Sequence, residues 1–170
     1  MSRLGQPRRG LEFHRRAIKI KTIQGVGVVS EGPLSANKGT LRVEYFVSGK
    51  PIGKPRMTRR DKWAQRPTVM RYREWADNIR LSCFSVPEPE KIIELNWTAS
   101  FAMPKSWSKS KKIKMNRQLH RQTPDRDNID KAVLDALFKK DQAISAGTIK
   151  KVWGEKDFII IEVFYEEGKA

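Results

Sequence analysis

Leu41, Val43, Tyr45 and Val47 alternate with polar neighbours, the period of a half-buried strand. Gly53 and Pro55 then break regular structure across Gly49 to Arg60. Pro67-Thr68 opens a helical pattern in which Tyr72, Trp75, Ala76, Ile79 and Cys83 recur at helical spacing, a stripe that belongs in a core. Pro87 and Pro89 follow its end. Ile93, Leu95, Trp97, Ala99 and Phe101 return to period two and predict a second strand. The stretch from Pro104 to Arg121 is polar, and Ser106 or Ser108 would cap a short helix within it.

From Asn128 to Phe138 the helical period resumes, with Ile129, Ala132, Val133, Ala136 and Leu137 on one side and Leu134 and Phe138 beyond it. That apolar arc is wider than one core contact requires, and a second buried interface is one explanation. Gly147 to Trp153 and Phe158 to Tyr165 read as two strands around the turn Gly154-Glu155-Lys156-Asp157, a terminal hairpin. The order β-α-β-α-α-β-β predicts a single α+β domain on a mixed sheet, spanning residues 41 to 167. Residues 1 to 40 form a basic extension, with a weak strand signal over Arg15 to Ile23 and a loop over Gly25 to Lys38.

Composition narrows the function classes. A chain of 170 residues is ordinarily one domain, and no apolar run approaches the roughly 18 residues of a membrane span. Met1 to Arg16 lacks the apolar centre of a signal peptide, so the cytoplasm is the default location. The single cysteine, Cys83, excludes an internal disulfide and a cysteine-cluster metal site. It sits on the buried helical stripe with no histidine nearby in sequence, a poor setting for a nucleophile. The net charge of +16 changes the picture most: so many cations favour a polyanionic partner such as nucleic acid, whose condensed counterions they displace. A ribosomal or anionic-membrane partner would account for the charge equally well. Lys54, Arg56, Arg59 and Arg60 sit in the loop after the first strand, and Lys105, Lys109, Lys111 and Lys112 in the later basic stretch. Each group reads either as a phosphate-gripping surface or as a solvated turn. Trp107 would anchor the second group or stack on a base, and His120 reads as a core residue or a support beside the site.

Against this cationic background, Asp125, Asp127, Asp130, Asp135 and Asp141 crowd into one short stretch. Asp127 can begin a helix, with Asp130 three residues on in a loose capping-box pattern. Asp127, Lys131 and Asp135 then lie along one side of that helix, with Lys131 leaning back toward the acids. Crowded acids need a counter-charge, and a divalent ion such as Mg²⁺ is the natural one. The plainer reading makes Asp127 a cap and Lys131–Asp135 a surface pair.

The run Asp125-x-Asp127-Asn128-x3-Ala132-x2-Asp135-Ala136-Leu137, with Lys131 inside it and Asp141-Gln142-x-Ile144 after it, resembles the signature of the RusA family of Holliday junction resolvases. Gly53-Lys54-Pro55-Arg56 and Met103-Pro104-Lys105-Ser106-Trp107-Ser108 extend the resemblance, which covers roughly residues 42 to 166. It implies a homodimeric, Mg²⁺-dependent endonuclease, with Mn²⁺ as a substitute, that resolves four-way DNA junctions by paired nicks in recombination and repair. Such proteins are common in phages and prophages acting on the DNA of a bacterial host. By the resemblance Asp125, Asp127 and Asp141 correspond to metal-binding catalytic carboxylates and Lys131 to a catalytic lysine. The chain departs from the pattern at Asp141, which follows Lys139 and Lys140 where the family has paired acids. The connection from Asp135 is also short, and Asp130 is the neighbouring acid that would take its place. The alternatives are a nuclease acting on flaps or other branched DNA, and a nucleic-acid-binding protein without catalysis.

Overall fold

A computed structural model of the chain describes residues 21–22 and 40–166. Most of the N-terminal extension read from the sequence, including the loop over Gly25 to Lys38, lies outside the described residues. Its strand signal is met by β1 (Lys21–Thr22), which pairs antiparallel with β2 (Thr40–Ser48). After β2 come α1 (Pro67–Ser82), β3 (Ile92–Ala102), α2 (Lys109–Met115), α3 (Arg126–Leu137), β4 (Ile149–Gly154) and β5 (Phe158–Glu166). The expected α+β domain with a mixed sheet is what forms.

The sheet runs β1-β2-β5-β3-β4. β5 is antiparallel to both of its neighbours, whereas β3 and β4 run parallel. A parallel pair needs a long crossover, and α2 and α3 supply it. Alternation chooses the buried face: Val43, Tyr45 and Val47 from β2, Leu95, Trp97, Ala99 and Phe101 from β3, and Ile159, Ile161 and Val163 from β5. At the start of β3 a register shift between Ile92 and Glu94 turns Ile92 inward in place of the expected Ile93. On this face α1 lays Val69, Tyr72, Trp75, Ala76 and Ile79 beside β2. Pro67 at the helix start has no N–H to leave unpaired, and Cys83 closes the last turn through its N–H to the Ile79 carbonyl at 2.8 Å.

Two expectations need correction. The last two strands do not form a hairpin, because β3 lies between them. The link 155–157 crosses the end of β3 and is tied there: the Ser100 hydroxyl donates to the Lys156 carbonyl at 2.8 Å, and the Ala102 N–H to the Asp157 carboxylate at 2.8 Å. β5 is the strand whose inward residues, Ile159, Ile161 and Val163, are each 0% exposed, so a place between two partners buries it best. The wide apolar arc of α3 also has an answer within the chain. Ile129, Ala132, Val133 and Ala136 are buried because α3 packs on both α1 and β4. The arc alone therefore gives no argument for a second copy.

Candidate active site at the start of the third helix

α3 begins two residues earlier than the acidic pattern suggested. Asp125, not Asp127, is its N-cap, in extended conformation, and the Asp125 carboxylate makes no capping hydrogen bond. The helix is closed there by backbone alone, through the Ile129 N–H to the Asp125 carbonyl at 3.2 Å. Asp127 falls in the first turn, where the exposed N–H groups of the helix favour negative charge. Both aspartates are exposed. Lys131 lies one turn on and reaches back, its ammonium 3.3 Å from the Asp127 carboxylate. With both side chains mostly in water, that contact adds little stability and leaves the ammonium free to turn elsewhere.

The loop after β2 packs against this helix start. The Lys54 N–H donates to the Asn128 carbonyl at 2.8 Å. A Cβ at Gly53 would stand 3.0 Å from the Asn128 Cβ and 3.3 Å from that of Pro124, so a side chain there would press the loop off the helix. The Lys54 ammonium then meets Asp135, two turns along α3 from Asp127, at 2.5 Å, and the Tyr72 hydroxyl stands 3.5 Å from the same carboxylate. Asp135 raises the Lys54 pKa, and Asp141, in the loop after α3, is close enough to add to the effect. Lys54 therefore serves first as the counter-charge of the helix acids.

Lys151 on β4 gives support that the sequence reading missed. Its ammonium donates to the carbonyls of Gln122 at 2.7 Å and Pro124 at 2.6 Å, fixing the backbone that leads into Asp125. Burial draws its pKa down while the Asp125 charge works in the opposite direction. A lysine in a strand carries no sequence mark of such a task. Upstream, the basic segment runs along β4, with the Arg117 N–H on the Trp153 carbonyl and the His120 N–H on that of Lys151, both at 2.9 Å. His120 is a core residue: its ring stacks on Phe101 and tilts against Trp153, and burial lowers its pKa.

In that segment Ser108 caps α2 by accepting from the Lys111 N–H at 3.3 Å. Trp107 anchors the loop, with its ring 4.9 Å from that of Trp153 and the Lys111 ammonium 4.4 Å above it. Lys105, Lys109 and Lys111 are exposed and Lys112 half-buried. Arg56, Arg59 and Arg60 are likewise exposed in the earlier loop.

Asp130 turns away from the other acids, accepting at 2.8 Å from the Trp97 indole N–H, which needs a partner inside the core. Among the described residues, no group of three or more acidic, histidine or cysteine side chains is placed to hold one metal ion. The sequence reading gathered Asp125, Asp127 and Asp141 into one such set. In the structure the neighbours are Asp125 and Asp127 in the chain, with Asp141 on the Lys54 side.

The family model for the endodeoxyribonuclease RusA matches residues 48–164, from the end of β2 to the end of β5. The chain belongs to the RusA family of endodeoxyribonucleases. No curated protein matches it. The match takes in the Gly53-Lys54 loop, the basic segment, α3 and Lys151, so every part of the site just described lies within the RusA-like stretch. RusA enzymes cleave DNA, and Holliday junctions are the substrate of the family.

Proposed function

We propose that this RusA-family chain is a Mg²⁺-dependent resolvase that cuts four-way junctions by paired, symmetric nicks at the start of α3. The observation that carries the reading is the Asp125 carboxylate. It stands at a helix cap without bonding to it, beside an exposed Asp127 that Lys131 contacts, and near enough to Lys151 for its charge to act on that lysine.

The donor set suits the ion. Mg²⁺ takes hard oxygen ligands, commonly one or two carboxylates, and fills its remaining positions with water and substrate phosphate. Asp125 and Asp127 would hold it, with Asp141 as the third acid implied by the family pattern. When bound, such an ion offsets phosphodiester charge and lowers the pKa of a coordinated water. The protein's own groups do the rest. Lys131 turns from Asp127 to a non-bridging phosphate oxygen, where its charge counters what develops in the transition state. Lys54 neutralises Asp135, which would otherwise repel the DNA. Lys151 keeps the Asp125 backbone in place, and the cations of α2 and the Arg56–Arg60 loop hold the phosphates on either side.

A junction with two-fold symmetry calls for two such sites, so the reading includes a homodimer. Labelled junction, flap and linear duplex incubated with Mg²⁺, Mn²⁺ or EDTA test the proposal. The expected result is a pair of symmetric junction nicks with either metal and none in EDTA. Light scattering is expected to give twice the 19.7 kDa chain mass. Preferential cutting of flaps would replace the junction reading, and binding without nicking in either metal would overturn the catalytic one.

A further inference from the structure

Between the Gly53-Lys54 contact and α1, the chain makes a projection over residues 56 to 66 that is built more firmly than a solvated turn requires. Its centre is Asp61, only 3% exposed. The Asp61 carboxylate accepts from the Thr58 N–H at 2.6 Å, the Thr58 hydroxyl at 2.9 Å, and the Arg66 guanidinium through two bonds of 2.6 Å. Arg66 also donates to the Arg56 carbonyl at 3.1 Å, and Arg73 on α1 donates to the Asp61 carbonyl. The two ends of the projection are thereby tied to each other and to α1. A fully bonded buried carboxylate holds one backbone shape.

What this rigid base displays is an indole. Trp63 is 71% exposed, whereas Trp75, Trp97 and Trp153 are buried and Trp107 is packed against the core. Met57, six residues earlier, is exposed as well, along with Arg56, Arg59 and Arg60. A single exposed hydrophobic residue is ordinary. An indole on a braced turn among arginines has the makeup of a surface for a partner that is both anionic and flat-faced, which describes a nucleobase on its sugar-phosphate chain. The projection also starts two residues after Lys54, whose backbone lies on α3, so its partner and that of the α3 site would be the same molecule.

Resting on the junction reading above, we infer that Trp63 stacks on a base at the branch point. Within a continuous duplex each base is covered on both sides by its neighbours and offers the indole no free face. At a strand exchange that cover is broken. The indole therefore selects branched over linear DNA, while the arginines grip both.

The test needs no cleavage and is done in EDTA. A four-way junction carrying 2-aminopurine at the branch point reports a stacking change by its fluorescence, and junction and linear-duplex affinities are measured at one salt concentration. Trp63→Ala is expected to weaken junction binding by about tenfold, to change duplex binding by no more than about twofold, and to abolish the fluorescence change. Trp63→Phe, which keeps a ring, restores most of the affinity. Equal losses for junction and duplex, or no loss for either, would overturn the inference. A wild type that never nicks would remove the proposed catalysis yet leave this selective loss to be seen or not, so the two failures are separable.

Discussion

At Asp61 the chain buries a carboxylate in a loop, where Arg66, the larger influence, and Thr58 hold it well below the usual carboxylate range. Its folded pKa lies below the unfolded value near about 3.9, so the stability it contributes is complete above that value and fades as the pH falls further. Thermal unfolding is expected to show Asp61→Asn melting below wild type near about pH 7, with the gap closing toward about pH 3. A gap that does not change with pH would contradict this role. The sequence reading passed over Asp61, because an acid between Arg60 and Lys62 looks like mere dilution of charge, although the Thr58-x-x-Asp61 spacing is that of a capping box. Lys151 left no mark, since its partners are backbone carbonyls that no side-chain pattern records. Cys83 was readable as inert: burial pushes its thiol up to about 12, far from a nucleophile's range.

Among the elements, the parallel pairing of β3 with β4 is what brings Lys151 under the start of α3. At its beginning the chains are in close approach: the Leu95 N–H donates to the Ala146 carbonyl at 3.1 Å, and a Cβ at Gly147 would stand 2.1 Å from the Leu95 carbonyl oxygen. Backbone cannot swing aside as a side chain can. Gly147→Ala is therefore expected to cost about 1–3 kcal/mol of stability, read as a lower midpoint in denaturant unfolding. An unchanged midpoint would mean that β4 sits on β3 more loosely than described. The strands and the helices α1 and α3 were legible because their periods are set by burial on one face. The pairing of β5 with β3 was not, since a short turn between two apolar strands looks the same whether or not a third strand passes between them. The start of α3 was misplaced because Asp125 caps by backbone geometry and withholds the side-chain bond on which cap patterns rest.

On the scale of the whole molecule, a protein of net charge +16 sets exposed carboxylates at one helix start and gives the neighbouring Asp130 and Asp135 partners in Trp97, Lys54 and Tyr72. In the proposed reading the surrounding cations hold the DNA, and the exposed Asp125 and Asp127 at the start of α3 would hold the metal ion. The family and the acidic stretch were evident in the sequence. The turning of Asp130 to Trp97 and of Asp135 to Lys54 was not, because those partners come from a strand and a loop distant in the chain. Single-turnover cleavage of a labelled four-way junction by saturating wild type and Asp127→Asn, alongside their junction affinities, tests the central claim most directly. The account predicts that Asp127→Asn binds the junction as wild type does and cuts it slower by about a hundredfold or more in Mg²⁺. Cleavage by Asp127→Asn at the wild-type rate would contradict it.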